Sequence, residues 1–237
     1  MSQPFKFKEF TVQQDRCAMK IGTDGVLLGA WASLQNNPES ILDIGAGTGV
    51  IALQLAQRSP MAQIDALEMD DAAYEQCVEN FENSSWANRL FCYHATAQEF
   101  AVEMDESYDL IISNPPFYSE DYKTNSEARD LARFNGALPF EQLIGCVYNL
   151  LSENGVFALI LPRKDEAHFI SLASEAGLFP KRICRVKGTP SSEEKRSLME
   201  FSFRSVETKV ENLVIELERH QYTPAYKDLV NGFYLKM

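Results

Sequence analysis

The sequence predicts an α/β fold, a doubly wound seven-stranded sheet with an antiparallel C-terminal hairpin. Three observations predict it. Between residues 41 and 176, short apolar runs alternate with segments of helical spacing, as in successive β-α units. The first of these runs ends in a glycine turn that opens a helix. Residues 182–187 and 197–203 alternate polar and apolar side chains around a polar turn, which reads as a hairpin.

Each element follows in order. Residues 5–12 alternate and suit one short strand, and 13–17 are polar and suit a turn. Thr23 or Asp24 is placed to cap a short apolar helix over 25–31. Its Gly25 and Gly29 permit close backbone approach, either to core neighbours or to a cofactor. Asn36-Asn37-Pro38 closes this preface. Residues 41–44 form a buried strand, followed by Gly45, Gly47 and Gly49 and a helix over 50–57. The dinucleotide fingerprint requires a glycine where Val50 stands, which disfavours pyrophosphate and NAD. Asp43, inside the strand end, can orient the glycine loop or a cationic ligand group. Residues 63–68 are the second strand. Its final Glu68, 19 residues past Gly49, can accept two hydrogen bonds from a ribose diol. A solvated strand-end acid is the plain alternative, with Asp70 and Asp71 nearby. A helix over 72–80, a third strand over 90–93 and a fourth over 108–113 follow, with Thr96 in the loop after the third.

The fourth strand runs into Asn114-Pro115-Pro116-Phe117. Neither proline has an N–H to donate, so the ladder stops there and the backbone is stiff with bare carbonyls. The Asn114 amide oxygen and the Pro115 carbonyl are both acceptors, able to grip the two hydrogens of a planar NH2 group. Phe117 offers a flat face for stacking on an aromatic ring. Without other support, a stiff surface turn explains the tetrapeptide as well. Residues 118–135 are polar and read as a lid, a binding element or a disordered stretch, and Arg129 and Arg133, four apart, could lie on one helical face. A helix over 139–151 is stopped by Glu153-Asn154-Gly155. A fifth strand over 156–161 and a helix over 165–176 follow. The hairpin turn, 188–196, carries Lys195 and Arg196. A last short strand at 213–217 and a helix over 224–234 complete a single domain. Its parts are the preface 1–38, the core 39–204 and a closing strand and helix 205–237.

Net charge is −12, which counts against a generic nucleic-acid binder. The charge is uneven, however. Residues 123–204 hold 12 basic and 10 acidic side chains, against 10 and 24 elsewhere. A polyanion is tolerated only over that segment. The five cysteines are scattered without a Cys-x-x-Cys, which argues against a disulfide framework or zinc and for a reducing cytoplasm. His94, His168 and His220 lack ligand spacing, so no metal is expected. No run approaches the roughly 20 apolar residues of a membrane span. A monomer is expected.

Ligands of doubly wound sheets sit at the carboxyl ends of the strands, near the topological switch point. That rule gathers residues 45–49, Glu68, Thr96 and 114–117 on one rim. With these residues on one rim, the chain resembles the Rossmann-like S-adenosylmethionine-dependent amino-methyltransferases. The likeness lies in Leu42-Asp43-Ile44-Gly45-Ala46-Gly47-Thr48-Gly49, Glu68 and Asn114-Pro115-Pro116-Phe117. The preface from Asp15-Arg16-Cys17 through Thr23-Asp24-Gly25 to Trp31, with Phe233-Tyr234-Leu235, is more closely similar to the bacterial tRNA(Val) adenine-37 N6-methyltransferases. This resemblance runs nearly end to end. It implies S-adenosyl-L-methionine as cofactor and tRNA as partner. Asp43, Gly45, Gly47 and Gly49 would surround the cofactor's methionine end, and Glu68 would hold its ribose. Thr96 stands where many relatives carry an Asp for the cofactor adenine. Asn114 and the Pro115 carbonyl would hold the adenine N6, with Phe117 stacked on the base. Arg129, Arg133, Lys195 and Arg196 are expected to meet phosphates.

Three alternatives stay open. A protein glutamine N5-methyltransferase of the release-factor type presents an amide to the same tetrapeptide, and the acidic charge suits it. An rRNA base N-methyltransferase shares the tetrapeptide too. A cofactor-binding domain without activity, serving as a structural partner, is the reading from another class.

Overall fold

The computed structural model describes residues 3–116 and 138–236. The chain opens with β1 (Phe5–Lys6) and β2 (Thr11–Val12), an antiparallel ribbon rather than the single strand expected over 5–12. The Phe7 N–H donates to the Phe10 carbonyl at 2.9 Å and turns the chain between them. The turn stacks the two rings, with centroids 4.6 Å apart, so both enter the core instead of alternating. Next comes α1 (Thr23–Trp31). Its N-cap is Gly22, which offers no side-chain cap, so neither Thr23 nor Asp24 caps it as expected.

Then follow β3 (Ser40–Ile44), α2 (Val50–Arg58), β4 (Gln63–Glu68), α3 (Asp71–Glu82), β5 (Leu90–His94), α4 (Ala97–Glu103) and β6 (Tyr108–Ser113). Past residue 137 come α5 (Phe140–Leu150), β7 (Leu151–Pro162), α6 (Glu166–Glu175), β8 (Phe179–Lys187), β9 (Glu194–Ser202) and β10 (Lys209–Val214). A small ribbon of β11 (Glu216–Glu218) and β12 (Gln221–Tyr222) leads to α7 (Pro224–Val230).

The central sheet has eight strands among the described residues, in the order β10-β8-β9-β7-β6-β3-β4-β5. That is one more than expected. The eighth is β10, which pairs in parallel with β8 and starts before the strand read at 213–217. It is a sheet edge with one buried side chain, Leu213, so its patterning is weak. The β8–β9 hairpin is antiparallel as expected, but its turn is shorter: Lys195 and Arg196 belong to β9. The fifth strand of the reading, β7, begins at Leu151 directly after α5, so Gly155 does not stop the helix. Residues 152–155 are absorbed as a bulge, since Tyr108 pairs with Leu151 and Leu110 with Val156. The last helix ends at Val230; beyond it Tyr234 bridges to Phe7.

Strand residues alternate between two cores. Ile41, Leu110, Ile112, Val156 and Ala158 face α1, α2 and α7. Leu42, Ile44, Ile111, Phe157 and Leu159 face α4, α5 and α6. Both faces are covered, which is why these strands read as unbroken apolar runs. No helix among the described residues is long and apolar enough to cross a membrane.

Candidate active site

β5, β4, β3 and β6 lie side by side in parallel, ending at His94, Glu68, Ile44 and Ser113. The residues that follow those ends therefore share one rim. The chain winds from β3 to β4 to β5 in one direction, then resumes at β6 and β7 on the other side of β3. The switch point lies between β3 and β6, where ligand crevices form in such sheets. The loops after these two strands carry the glycines and Asn114.

The glycine turn is held from beneath. The N–H groups of Gly45 and Ala46 both donate to the Leu67 carbonyl at 2.9 Å. Gly45, Gly47 and Gly49 all have positive φ, at +77°, +56° and +77°, a region other residues rarely adopt. A Cβ at Gly49 would come within 2.6 Å of the Phe81 ring and 2.9 Å of Cys77 Sγ, so that glycine serves packing. Gly45 and Gly47 differ: a Cβ there meets nothing within 4 Å. They face open space on the rim, as a cradle does.

Asp43 lies fully buried beneath this turn, and neither carboxylate oxygen has a hydrogen-bond partner. Burial pushes its pKa up to about 7. The Ala52 N–H at the start of α2 pulls it back, though short of hydrogen-bond geometry, and Glu68 raises it further. A buried unpaired carboxyl is costly unless a cation or donor joins it.

Glu68, half-buried, braces the loop. Its Oε2 accepts from the Gly47 N–H at 2.8 Å, and its Oε1 from the Asp70 N–H at 2.9 Å. Each oxygen keeps a free lone pair. The preface lies alongside. The Asn80 amide donates to the Thr48 carbonyl at 2.9 Å and accepts from the Gln13 N–H at 2.7 Å. Gln76 accepts from the Arg16 N–H at 2.9 Å and donates to Asp15 at 2.8 Å. The sequence reading missed these two amides. Their signal was present: Gln76 and Asn80 sit among Ala73, Cys77 and Phe81 on the buried stripe of α3, where polar side chains need a reason. Cys17, buried next to them, has its thiol pushed up to about 12 by burial and by Glu68.

Thr96 caps α4. Its hydroxyl donates to Glu99 at 2.7 Å and accepts from the Glu99 N–H at 3.2 Å, a capping box. One acceptor position of that hydroxyl remains.

Asn114 and Pro115 follow Ser113, whose hydroxyl donates to the Ile44 carbonyl at 2.9 Å and ties β6 to the root of the glycine loop. α1 flanks them. A Cβ on Gly25 would stand 3.8 Å from the Asn114 amide nitrogen and 3.5 Å from Val50. A Cβ on Gly29 would meet Gln54 at 2.4 Å. Gly29 thus lets α1 lie against Gln54 of α2, whereas at Gly25 a Cβ would make ordinary van der Waals contact with Val50 and the Asn114 turn. Both ends of α1 are pinned. Asp24 pairs with Arg196 at 2.8 Å, and Trp31 donates to Glu211 at 2.9 Å while Arg182 stacks 4.0 Å over its ring. Arg196 is thus bound to a carboxylate, not left on a loop as expected, because β9 brings it to α1. Lys195, beside it, is exposed. Phe117, Arg129 and Arg133 lie outside the described residues.

The rim so built joins an unpaired buried acid, two open glycines, a carboxylate with spare acceptors, and an Asn-Pro turn. These residues fit a cofactor with a cationic end and a ribose, set beside an amine-bearing substrate. The family model "Methyltransferase small domain" matches residues 24–137. A protein of Flavobacterium johnsoniae named tRNA1(Val) (adenine(37)-N6)-methyltransferase is 62% identical over 98% of this chain and 100% of its own length. One of the same name from Bacteroides fragilis is 43% identical over 100% of both. The crystal structure of a predicted O-methyltransferase from Agrobacterium tumefaciens matches with a TM-score of 0.68, at 22% identity, over 89% of this chain and 96% of that one. At that identity it speaks for the fold alone.

Proposed function

Because the chain belongs to the family of bacterial tRNA1(Val) (adenine(37)-N6)-methyltransferases, we propose that it methylates N6 of adenine-37 in the anticodon loop of tRNA(Val). The observation that carries this reading is the Asn114-Pro115 turn beside the open glycine cradle at the switch point. S-adenosylmethionine supplies an electrophilic methyl group on a sulfonium. Asp43, buried beneath the loop of Gly45, Gly47 and Gly49, would balance the charge of the cationic methionine end. Glu68 offers its spare lone pairs to the ribose, and Thr96 its remaining acceptor position to the cofactor adenine.

Asn114 and the Pro115 carbonyl accept the two N6 hydrogens of the target base. The N6 lone pair is delocalised into the ring and poorly nucleophilic. Two acceptors on its hydrogens draw charge onto nitrogen and aim the lone pair at the methyl group. Catalysis then rests on position and fixed dipoles more than on a strong base. The proton leaves late, since the methylated, charged amine is very acidic. Phe117 stacks on the base once it is turned out of its stack, a small cost for an exposed anticodon-loop purine. A tRNA substrate places the enzyme in the cytoplasm.

The test is nucleoside mass spectrometry of tRNA incubated with the protein and labelled cofactor. N6-methyladenosine at position 37 is expected. A label found on protein glutamine, or on rRNA only, would sink the reading.

A further inference from the structure

Resting on that reading, we propose that the RNA backbone crosses the rim over the ends of β7, β9 and β8, its phosphates held by Lys164, Lys187 and Lys195. The strand directions bring these residues together. β9 runs against both neighbours, so its start lies beside their ends: Arg196 pairs with Pro162 of β7 and with Val186 of β8, and Glu194 pairs with Lys187. Lys164 follows β7 by two residues. All three lysines therefore stand on the rim that carries Asn114, and β7 is the direct neighbour of β6. From β7 to β8 is two strand spacings, roughly 10 Å.

The cations of this edge fall into two classes. Its arginines are committed to carboxylates. Arg163 bonds Glu194 at 2.9 Å and reaches Glu166 at 3.5 Å; Arg185 bonds Glu166 at 2.8 Å; Arg196 bonds Asp24 at 2.8 Å. The lysines make no ion pair or side-chain hydrogen bond among the described residues. Lys164 and Lys195 are exposed, and Lys187 is half-buried. Of the nearby acids, Glu166 and Glu194 are neutralised by the arginines, leaving Asp165, Glu193 and Glu216, whose N–H donates to the Gly188 carbonyl, around the three lysines. A flexible ammonium suits the phosphates of an irregular loop, giving affinity and register without reading bases. A cavity of about 170 Å³, lined by Thr23, Asp24, Leu27, Val186, Lys195 and Arg196, lies between α1 and these strand ends. The lysine edge and the helix that abuts Asn114 thus form one surface.

The test measures binding of unmodified tRNA across a salt series, for wild type and for K164Q/K187Q/K195Q. Removing three phosphate contacts should flatten the slope of log affinity against log salt by about 2, at roughly 0.7 per single-strand contact. Affinity at low salt should fall about tenfold or more. Cofactor affinity should hold. Lys181→Gln, at the opposite end of β8, should leave the slope alone. A wild-type slope in the triple variant, or weaker binding at an unchanged slope, overturns the surface while leaving methylation intact. If the wild type transfers no methyl to tRNA, the functional reading falls, and this surface with it.

Discussion

Two buried carboxylates flank the Asn114 turn, and they behave oppositely. On one side, Asp43 sits fully buried under the glycine loop with no partner, and burial pushes it up to about 7. On the other, Glu166 is almost as buried, and burial pushes it up as well. There, Arg185, the Ser197 hydroxyl and Arg163 outweigh burial and hold it below the ordinary carboxylate range. Burial is shared; the cation is not. A buried acid already clasped by guanidinium is architecture, tying α6 to β8 and β9. A buried acid with no cation keeps its electrostatic demand unmet within the described residues. The rim thus has an acidic half with an unpaired buried carboxyl and a basic half whose lysines make no ion pair among the described residues, and Asn114, just past β6, stands between them.

The largest expected effect lies at that boundary. Asn114→Ala should lower kcat by on the order of 10²–10³, the loss typical of one preorganised polar contact. Cofactor and tRNA affinity should barely change, because the contact strengthens as charge develops on N6. Asn114→Asp should be milder, since a carboxylate still accepts both hydrogens. Full-speed single turnover by Asn114→Ala would remove the boundary. Glu68→Ala tests the acidic half. It should weaken S-adenosylmethionine by roughly 1.5–3 kcal/mol, as for hydrogen bonds to a charged group, and equal affinities by calorimetry would take Glu68 out of the site.

The two buried acids should then answer pH with opposite signs. Asp43 has a raised folded-state pKa, so its contribution to stability is intact in acid and is lost as pH rises through about 7. Asp43→Asn should stabilise the cofactor-free protein near pH 8 by up to about 4 kcal/mol, less the cost of burying the amide, and also weaken cofactor binding. Glu166 has a lowered pKa, so its contribution is present at neutral pH and lost in acid. Glu166→Gln should cost stability at neutral pH and flatten the acid limb of the melting curve. Thermal melts from about pH 4 to 8 would blur the comparison if both variants shifted the same way. The smallest effect belongs to Thr96→Ala. Losing the cap should cost about 1 kcal/mol, with cofactor affinity down by roughly 0.5–1.5 kcal/mol; unchanged affinity would make Thr96 a cap alone.

Local chemistry was legible in the sequence, and long-range pairing was not. The glycine turn, Glu68 and Asn114-Pro115 announce themselves because a positive φ, a strand-end acid and a missing N–H act within a few residues. The rim follows because parallel strands must end together. The Asp24–Arg196 pair joins residues 172 apart, and no local pattern carries that. So Arg196 looked like a free loop cation. The same blindness hid β10, whose exposed edge lacks alternation, and the bulge that carries β7 back to Leu151. The α1 caps misled for another reason: Thr23 and Asp24 are good capping types, but Asp24 was drawn to a guanidinium instead.

The contact between the two outermost segments sets an order of assembly during synthesis. The Lys8 N–H donates to the Phe233 carbonyl at 2.8 Å, and Phe7, Val26, Trp31, Tyr226 and Phe233 share one core. A ribosome releases the preface long before its packing partners exist. α1 can therefore settle against the Asn114 turn in its final form only when residues past 226 have emerged. Nascent chains would carry the glycine turn before they carry a finished α1 beside the Asn114 turn.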